Sequence, residues 1–196
     1  MTDRSDLFLI RDIPRFESIA AHAERYPELE PTSAEAYLVL LRVASGVLAW
    51  RQRFVAEHGL TQPQFTTLML LSCEDHGPAA PSELAERVGV TRATMTGVLD
   101  ALVADGLVDR VPDPDDRRMQ RISMTEKGLH RLESILPEYF GAVSRLMNGV
   151  APDDRRRLAG LLADVGRCIP GEANAPAFTP PTTDPVAPAG PTETTP

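Results

Sequence analysis

Pro81-Ser-Glu-Leu-Ala-Glu-Arg-Val-Gly-Val90, continued by Thr91-Arg-Ala-Thr-Met-Thr-Gly-Val-Leu-Asp-Ala-Leu-Val-Ala104, is the stretch that decides the fold. Pro81 suits the first position of a helix, where its missing N–H costs nothing. Glu83 then lies near the positive end of the helix dipole, and Leu84, Ala85 and Val88 form one apolar face. Gly89 ends this helix. Two residues later Thr91 restarts the chain as an N-cap, and Met95, Val98, Leu99 and Leu102 mark the buried stripe of a second helix that Asp105-Gly106 closes. Two short helices across a glycine-containing turn predict a helix-turn-helix.

Directly behind it, Leu107–Val111 reads as a strand, Pro112–Arg118 as a tight loop, and Gln120–Met124 as a returning strand. A hairpin in that position makes a winged helix. The second helix is narrow enough for a DNA major groove, and the hairpin tip can reach an adjacent minor groove. With the apolar stripe turned inward, the solvent face of that helix carries Thr91, Arg92, Thr94, Thr96 and Gly97. Arg92 can pair bidentately with a guanine edge, threonine hydroxyls can contact bases or phosphates, and Gly97 permits close backbone approach. At the tip, Asp113-Pro-Asp-Asp-Arg-Arg118 sets turn-forming residues beside Arg117 and Arg118, with Arg110 and Arg121 on the flanking strands. A guanidinium held at a hairpin tip is drawn into a narrow, strongly negative minor groove. The bland alternative is an exposed turn of self-cancelling ion pairs, worth little; its place in a winged helix favours the DNA reading.

Further outward, residues 34 to about 57 have helical spacing, with Ser33 as N-cap and Tyr37, Leu41, Ala44 and Leu48 on one stripe. Thr61-Gln-Pro-Gln64 is a capping box opening a helix expected to run to about Asp75. Thr125 caps a long helix with Leu129, Leu132, Leu136, Tyr139, Val143, Leu146 and Val150 near a three-four repeat and a kink expected at Pro137. A last helix after Pro152 turns Leu158, Leu161, Leu162, Val165 and Ile169 inward. Ile10, Ile13, Phe16, Ile19 and Ala20 suggest a short extra helix. The fold class is therefore mainly α with a small β-hairpin wing. The organisation is an N-terminal extension over 1–33, a helical dimerisation region over 34–60 and 125–169, a DNA-binding lobe over 61–124, and a Pro/Thr-rich tail over 170–196. The last 26 residues hold seven Pro and six Thr without apolar periodicity, a composition that does not offset its ordering entropy.

The helix-turn-helix segment, Leu99-Asp-Ala-Leu-Val-Ala-Asp-Gly-Leu-Val-Asp-Arg110, the wing tip 113–118 and Thr125-Glu-Lys-Gly128 together resemble the MarR family of transcriptional regulators. The likeness covers about 34–169 and is most specific over 81–128. It implies a homodimeric winged-helix repressor, less often an activator, on a pseudo-palindromic operator, released in many members by a small aromatic or phenolic ligand. It matches Arg118 to the wing arginine that enters the minor groove and Asp116 to its supporting acid. Arg92, Thr94 and Thr96 fall on recognition-helix positions. Gly97 and Ala101 stand where several members carry Arg, which implies thinner base readout and heavier shape readout. In a urate-responsive branch with an added N-terminal helix, an acid stands where this chain has Thr66 and an Arg where it has Val98, so that ligand does not carry over. The apolar stripes of the terminal helices exceed what one small winged helix covers; packing within one chain is possible, but two-fold DNA symmetry and the resemblance favour a dimer.

Composition sets the remaining bounds. The chain has 196 residues and a net charge of −8, with 42% hydrophobic and 24% charged residues. Residues 1–33 carry −3, 171–196 another −3, and the middle −2; local placement of the cations, 19 Arg and Lys127, decides nucleic-acid binding. No consecutive apolar run comes near the roughly 20 residues that cross a bilayer, Leu68–Leu71 being one of the short ones. Asp3 and Asp6 stand where a secretory signal wants positive charge, so a cytoplasmic protein without membrane attachment is expected. Cys73 and Cys168 are too few for a disulfide framework; Cys73, among Met69, Leu70 and Leu71, reads as a small core residue. No glycine-rich phosphate loop, nucleophile elbow or metal-ligand helix motif is present, and the four scattered His do not form a ligand set. An enzyme, a metal site and a cofactor are thus not expected. The alternatives are a winged helix that docks protein, which Arg117-Arg118 argues against, and a redox-responsive regulator using Cys73 or Cys168.

Overall fold

The computed structural model describes residues 16–73, 78–114, 116 and 119–170. Its elements are α1 (Phe16–Arg25), α2 (Pro31–Glu57), α3 (Gln62–Leu71), α4 (Pro81–Val88), α5 (Arg92–Ala104), β1 (Val108–Pro112), β2 (Gln120–Met124), α6 (Glu126–Met147) and α7 (Pro152–Arg167). They fall into two compact units, one ending at Tyr139 and the other beginning at Phe140. The fold class is as expected: mostly helical with one two-stranded antiparallel sheet.

In the first unit, local chemistry explains most element ends. Thr61 Oγ1 accepts from the Gln64 amide at 3.4 Å, and the Gln64 side chain accepts from the Thr61 N–H at 2.8 Å, so α3 starts on a complete capping box. Pro81 opens α4, and Gly89 closes it in the left-handed conformation at φ 75°, where a side chain would be strained. Thr91 caps α5 by accepting from the Thr94 amide at 3.1 Å. Phe65, Leu68, Leu84, Met95, Leu99, Leu102, Ile122, Leu132 and Ile135 form the core. The strands pair Val108 with Met124 through Pro112 with Gln120. A bridge from Ala79 to Ile122 extends this small sheet.

Several expectations are corrected. The N-cap of α2 is Glu30, three residues before Ser33: its carboxylate accepts from the Thr32 and Ser33 amides at 3.0 and 2.6 Å. Hydrogen bonds from the Ser33 side chain, then the Thr32 side chain, and after them the two amides, hold its pKa at about 2 against an ordinary 4.5. This cap is present above the ordinary carboxylate range and is lost only as pH falls through about 2. α3 ends at Leu71, because the Ser72 hydroxyl and the Cys73 thiol turn back to the Met69 carbonyl. Cys73 is therefore exposed, as is Cys168. Asp75 lies outside the described residues, as do Ile10, Ile13 and the tail.

The long helices differ most. On α2 the stripe residues Tyr37 and Leu48 are exposed, and Phe54 and Val55 are the buried ones. By length and composition α2 could cross a membrane: its most apolar 18-residue window has mean hydropathy 1.3 and is not buried. Its charges are few and thinly spread, so no long unbroken apolar run marks it in the sequence. In α6 the buried residues are Gly128, Leu132 and Ile135, so Leu129 is left exposed. In the second unit α7 buries nothing; Leu158, Leu161, Leu162, Val165 and Ile169 are 39–54% exposed instead of inward.

Candidate nucleic-acid interface

The turn between α4 and α5 and the hairpin β1–β2 set the candidate interface. On α5, Thr91, Arg92, Thr94, Thr96 and Gly97 are all exposed, on the side away from Met95, Leu99 and Leu102. Their hydroxyls are partly engaged within the helix. Thr91 and Thr94 share a 2.9 Å hydrogen bond, and Thr96 donates to the Arg92 carbonyl at 3.0 Å. A Cβ at Gly97 would meet nothing within 4 Å, so the residue leaves open surface for a close partner.

The wing is braced where its tip meets the strands. Asp113 Oδ1 accepts from the Asp116 amide at 3.2 Å and Oδ2 pairs with Arg121 Nη1 at 3.2 Å. Arg121 Nε donates to the Pro78 carbonyl at 2.6 Å. The turn closes through Asp113 N–H to the Met119 carbonyl at 3.0 Å and Met119 N–H to the Asp116 carbonyl at 2.8 Å. Arg121 thus fastens β2 to the segment before α4, with its charge offset by Asp113. Arg110 on β1 pairs with Asp100 of α5 at 2.5 Å, tying the wing strand to the second helix. Asp100 was not singled out by the sequence: it lies ten residues from Arg110, and nothing local predicts the pairing. Arg117 and Arg118 lie outside the described residues.

Thr125-Glu-Lys-Gly128 forms a joint instead of a surface. Thr125 Oγ1 donates to the Gly106 carbonyl at 2.8 Å and accepts from the Gly128 amide at 2.9 Å. Lys127 Nζ donates to the Asp105 carbonyl at 2.6 Å, closing the negative end of α5. A Cβ on Gly128 would lie 2.0 Å from the Leu107 carbonyl oxygen. The segment therefore locks the wing's first strand and the end of α5 against the start of α6.

The geometry agrees with what the chain is similar to. A family model for the MarR family matches residues 60–119. The HTH-type transcriptional repressor YetL of Bacillus subtilis (strain 168) is 34% identical over 157 residues, spanning 80% of this chain and 93% of its own length. The chain belongs to the MarR family. The transcriptional repressor MprA of Escherichia coli (strain K12) is 25% identical over 118 residues, 60% of this chain and 67% of MprA. Among solved structures, the transcriptional regulator BldR from Sulfolobus solfataricus has a TM-score of 0.59 at 25% identity, covering 69% of this chain and 96% of BldR. CouR from Rhodococcus jostii RHA1, solved bound to p-coumaroyl-CoA, has a TM-score of 0.58 at 26% identity, covering 68% and 92%. As a MarR-family member this protein is a DNA-binding transcriptional regulator, and its relatives include named repressors.

Proposed function

We propose that the protein is a homodimeric repressor that binds a pseudo-palindromic operator and is released from it by a small ligand. The observation that carries the DNA reading is the α5 face of Arg92, Thr94, Thr96 and Gly97, exposed beside a wing whose tip is braced by the Asp113–Arg121 pair. Arg92 and the threonines read the major groove, while Arg117 and Arg118 enter the minor groove with Asp116 in support. Arg110 and Arg121 act by positioning the wing. Such a regulator works where the chromosome is, in the cytoplasm.

The dimer reading is supported by the unburied apolar faces of α2 and α7. A second copy is the occupant that also delivers two recognition helices about 34–36 Å apart. The ligand reading is supported by a guanidinium set among aromatic rings. Arg51 Nη2 donates to Thr66 Oγ1 at 2.7 Å, and its guanidinium lies 6.0 Å from the Phe65 ring. Arg51 Nε is buried without an acceptor, beside an aromatic cluster of Trp50, Phe54, Phe65 and Tyr139. The bound CoA ester of CouR shows that a relative takes an organic ligand carrying an aromatic group, in line with an aromatic or phenolic effector here.

The test is operator binding by the wild type and by Arg118→Ala across a salt series. The variant should lose about 1–3 kcal/mol of affinity and lower the salt slope by about one counterion, with the dimer intact by light scattering. An unchanged affinity would remove the wing from the interface. A second variant, Asp113→Ala, should weaken binding about tenfold by freeing Arg121 and the turn, since a half-buried charge-assisted pair contributes about 1–2 kcal/mol. Its readout is the same titration, and full affinity would show that the wing needs no brace.

A further inference from the structure

We infer, on the proposed seating of α5 in the major groove, that Thr94 and Thr96 read thymine through their methyl groups. The operator half-site is then a sequence with thymine beside the base pair that Arg92 meets. Thr96 Oγ1 donates to the Arg92 carbonyl at 3.0 Å, so its single proton is used inside the helix. Thr91 Oγ1 accepts from the Thr94 amide at 3.1 Å and shares a 2.9 Å hydrogen bond with Thr94 Oγ1. Each hydroxyl has one proton, so the two oxygens keep one between them. Rotating Thr94 or Thr96 to present its oxygen to a base would break a bond already made. A threonine Cβ carries one hydroxyl and one methyl, and an oxygen turned back on its own helix leaves the methyl to meet the base edge.

The rest of the exposed face favours the same readout. At about 3.6 residues per turn, Ala93 and Gly97 lie opposite Met95, Leu99 and Leu102, between Thr94 on one side and Thr96 on the other. Ala93 is exposed and apolar. Gly97 has open space where a Cβ would stand, so the middle of the face holds no bulk that would keep the threonine methyls off the groove floor. Asp100, one turn beyond Thr96, is paired with Arg110 at 2.5 Å. That pairing occupies the carboxylate that could otherwise accept from cytosine N4. The Arg92 guanidinium remains as the strong donor, suited to guanine.

Among the four bases only thymine shows a methyl in the major groove, at C5, and an apolar side-chain group is its natural contact. Two threonine methyls flanking a bare strip therefore select for that group, with one guanidinium fixing the register. Such contacts displace no counterion, so they add discrimination without adding to the salt dependence of binding.

The experiment selects a duplex from a randomised pool with the full chain, then replaces each thymine of its half-sites by deoxyuridine, one at a time. The exchange removes a methyl and leaves base pairing and the minor-groove edge unchanged, so the wing is not disturbed. For wild type, at least one exchange in each half-site should weaken binding about fourfold, the effect of one buried methyl. Thr94→Ser and Thr96→Ser, at exposed positions, keep the oxygen and lose the methyl; Thr94→Val and Thr96→Val do the reverse. Each preference for thymine over uracil should disappear in one serine variant and survive in the matching valine variant. The serine variants should keep the wild-type salt slope. A duplex on which no exchange costs as much as about twofold would overturn the methyl readout alone. So would a preference that survives both serine variants or is lost with the hydroxyl in the valine variants. A chain that selects no duplex would overturn the operator reading and the methyl readout together.

Discussion

Replacing Gly128 with Ala should lower the thermal midpoint by roughly 6–12 °C, the equivalent of about 3 kcal/mol for a chain of this size. The added Cβ would lie 2.0 Å from the Leu107 carbonyl oxygen and 2.9 Å from its carbon and from Met124 Sδ. The first two are backbone, so no side-chain rotation relieves them. That carbonyl already accepts from the Thr125 amide at 3.2 Å. Moving it away opens the joint that also holds Thr125 to Gly106 and Lys127 to Asp105. The loss therefore spreads from one atom to the seating of β1 against α6. Operator affinity should fall with it, because the wing hangs from that joint. Differential scanning calorimetry checks the first expectation, and a drop smaller than about 2 °C would mean that α6 can slide at little cost.

Leu161→Asp together with Val165→Asp should convert the protein to a monomer and reduce operator affinity at least about 100-fold. Both side chains are among the exposed apolar residues of α7, a helix with no buried residue of its own. Two new carboxylates in a water-facing helix strain nothing within the chain, so the melting curve at high dilution should move little. In a buried interface each would be an unpaired, desolvated charge. A dimer on two half-sites gains the second contact at high effective concentration, typically worth 10²–10⁴ in affinity, and a monomer forfeits that gain. Sedimentation equilibrium and operator titration read the two effects. A variant that remains dimeric would move the interface elsewhere, and a monomer with full affinity would deny that pairing matters for DNA.

The helix-turn-helix was legible because its punctuation acts over three or four residues. Thr61 with Gln64, Pro81, Gly89 and Thr91 each perform in the structure the local task that their chemistry names. The wing strands were legible for the same reason. Less legible was which side of a long helix is covered. The α6 pattern contained Leu129, Leu132 and Leu136, yet the buried face runs through Gly128, Leu132 and Ile135. An apolar residue of α6 can face its own core or another surface equally well, and periodicity alone does not choose between adjacent stripes. The α2 cap was misassigned because Glu30, a less usual capping residue, reaches two amides ahead of Ser33.

By itself the sequence determined where helices start and stop and that a hairpin follows the second short helix, since those are contests between a side chain and the backbone a few bonds away. Only the tertiary structure decided that Arg110 is held by Asp100, that Arg121 reaches across 43 positions to Pro78, and that His58 meets Glu138 across 80. It also decided that Gly128 is a glycine because the Leu107 carbonyl, just before β1, occupies the space of a side chain. Such pairings depend on how separate segments come together after the helices have formed, and one chain's residue order carries no local signal of that meeting.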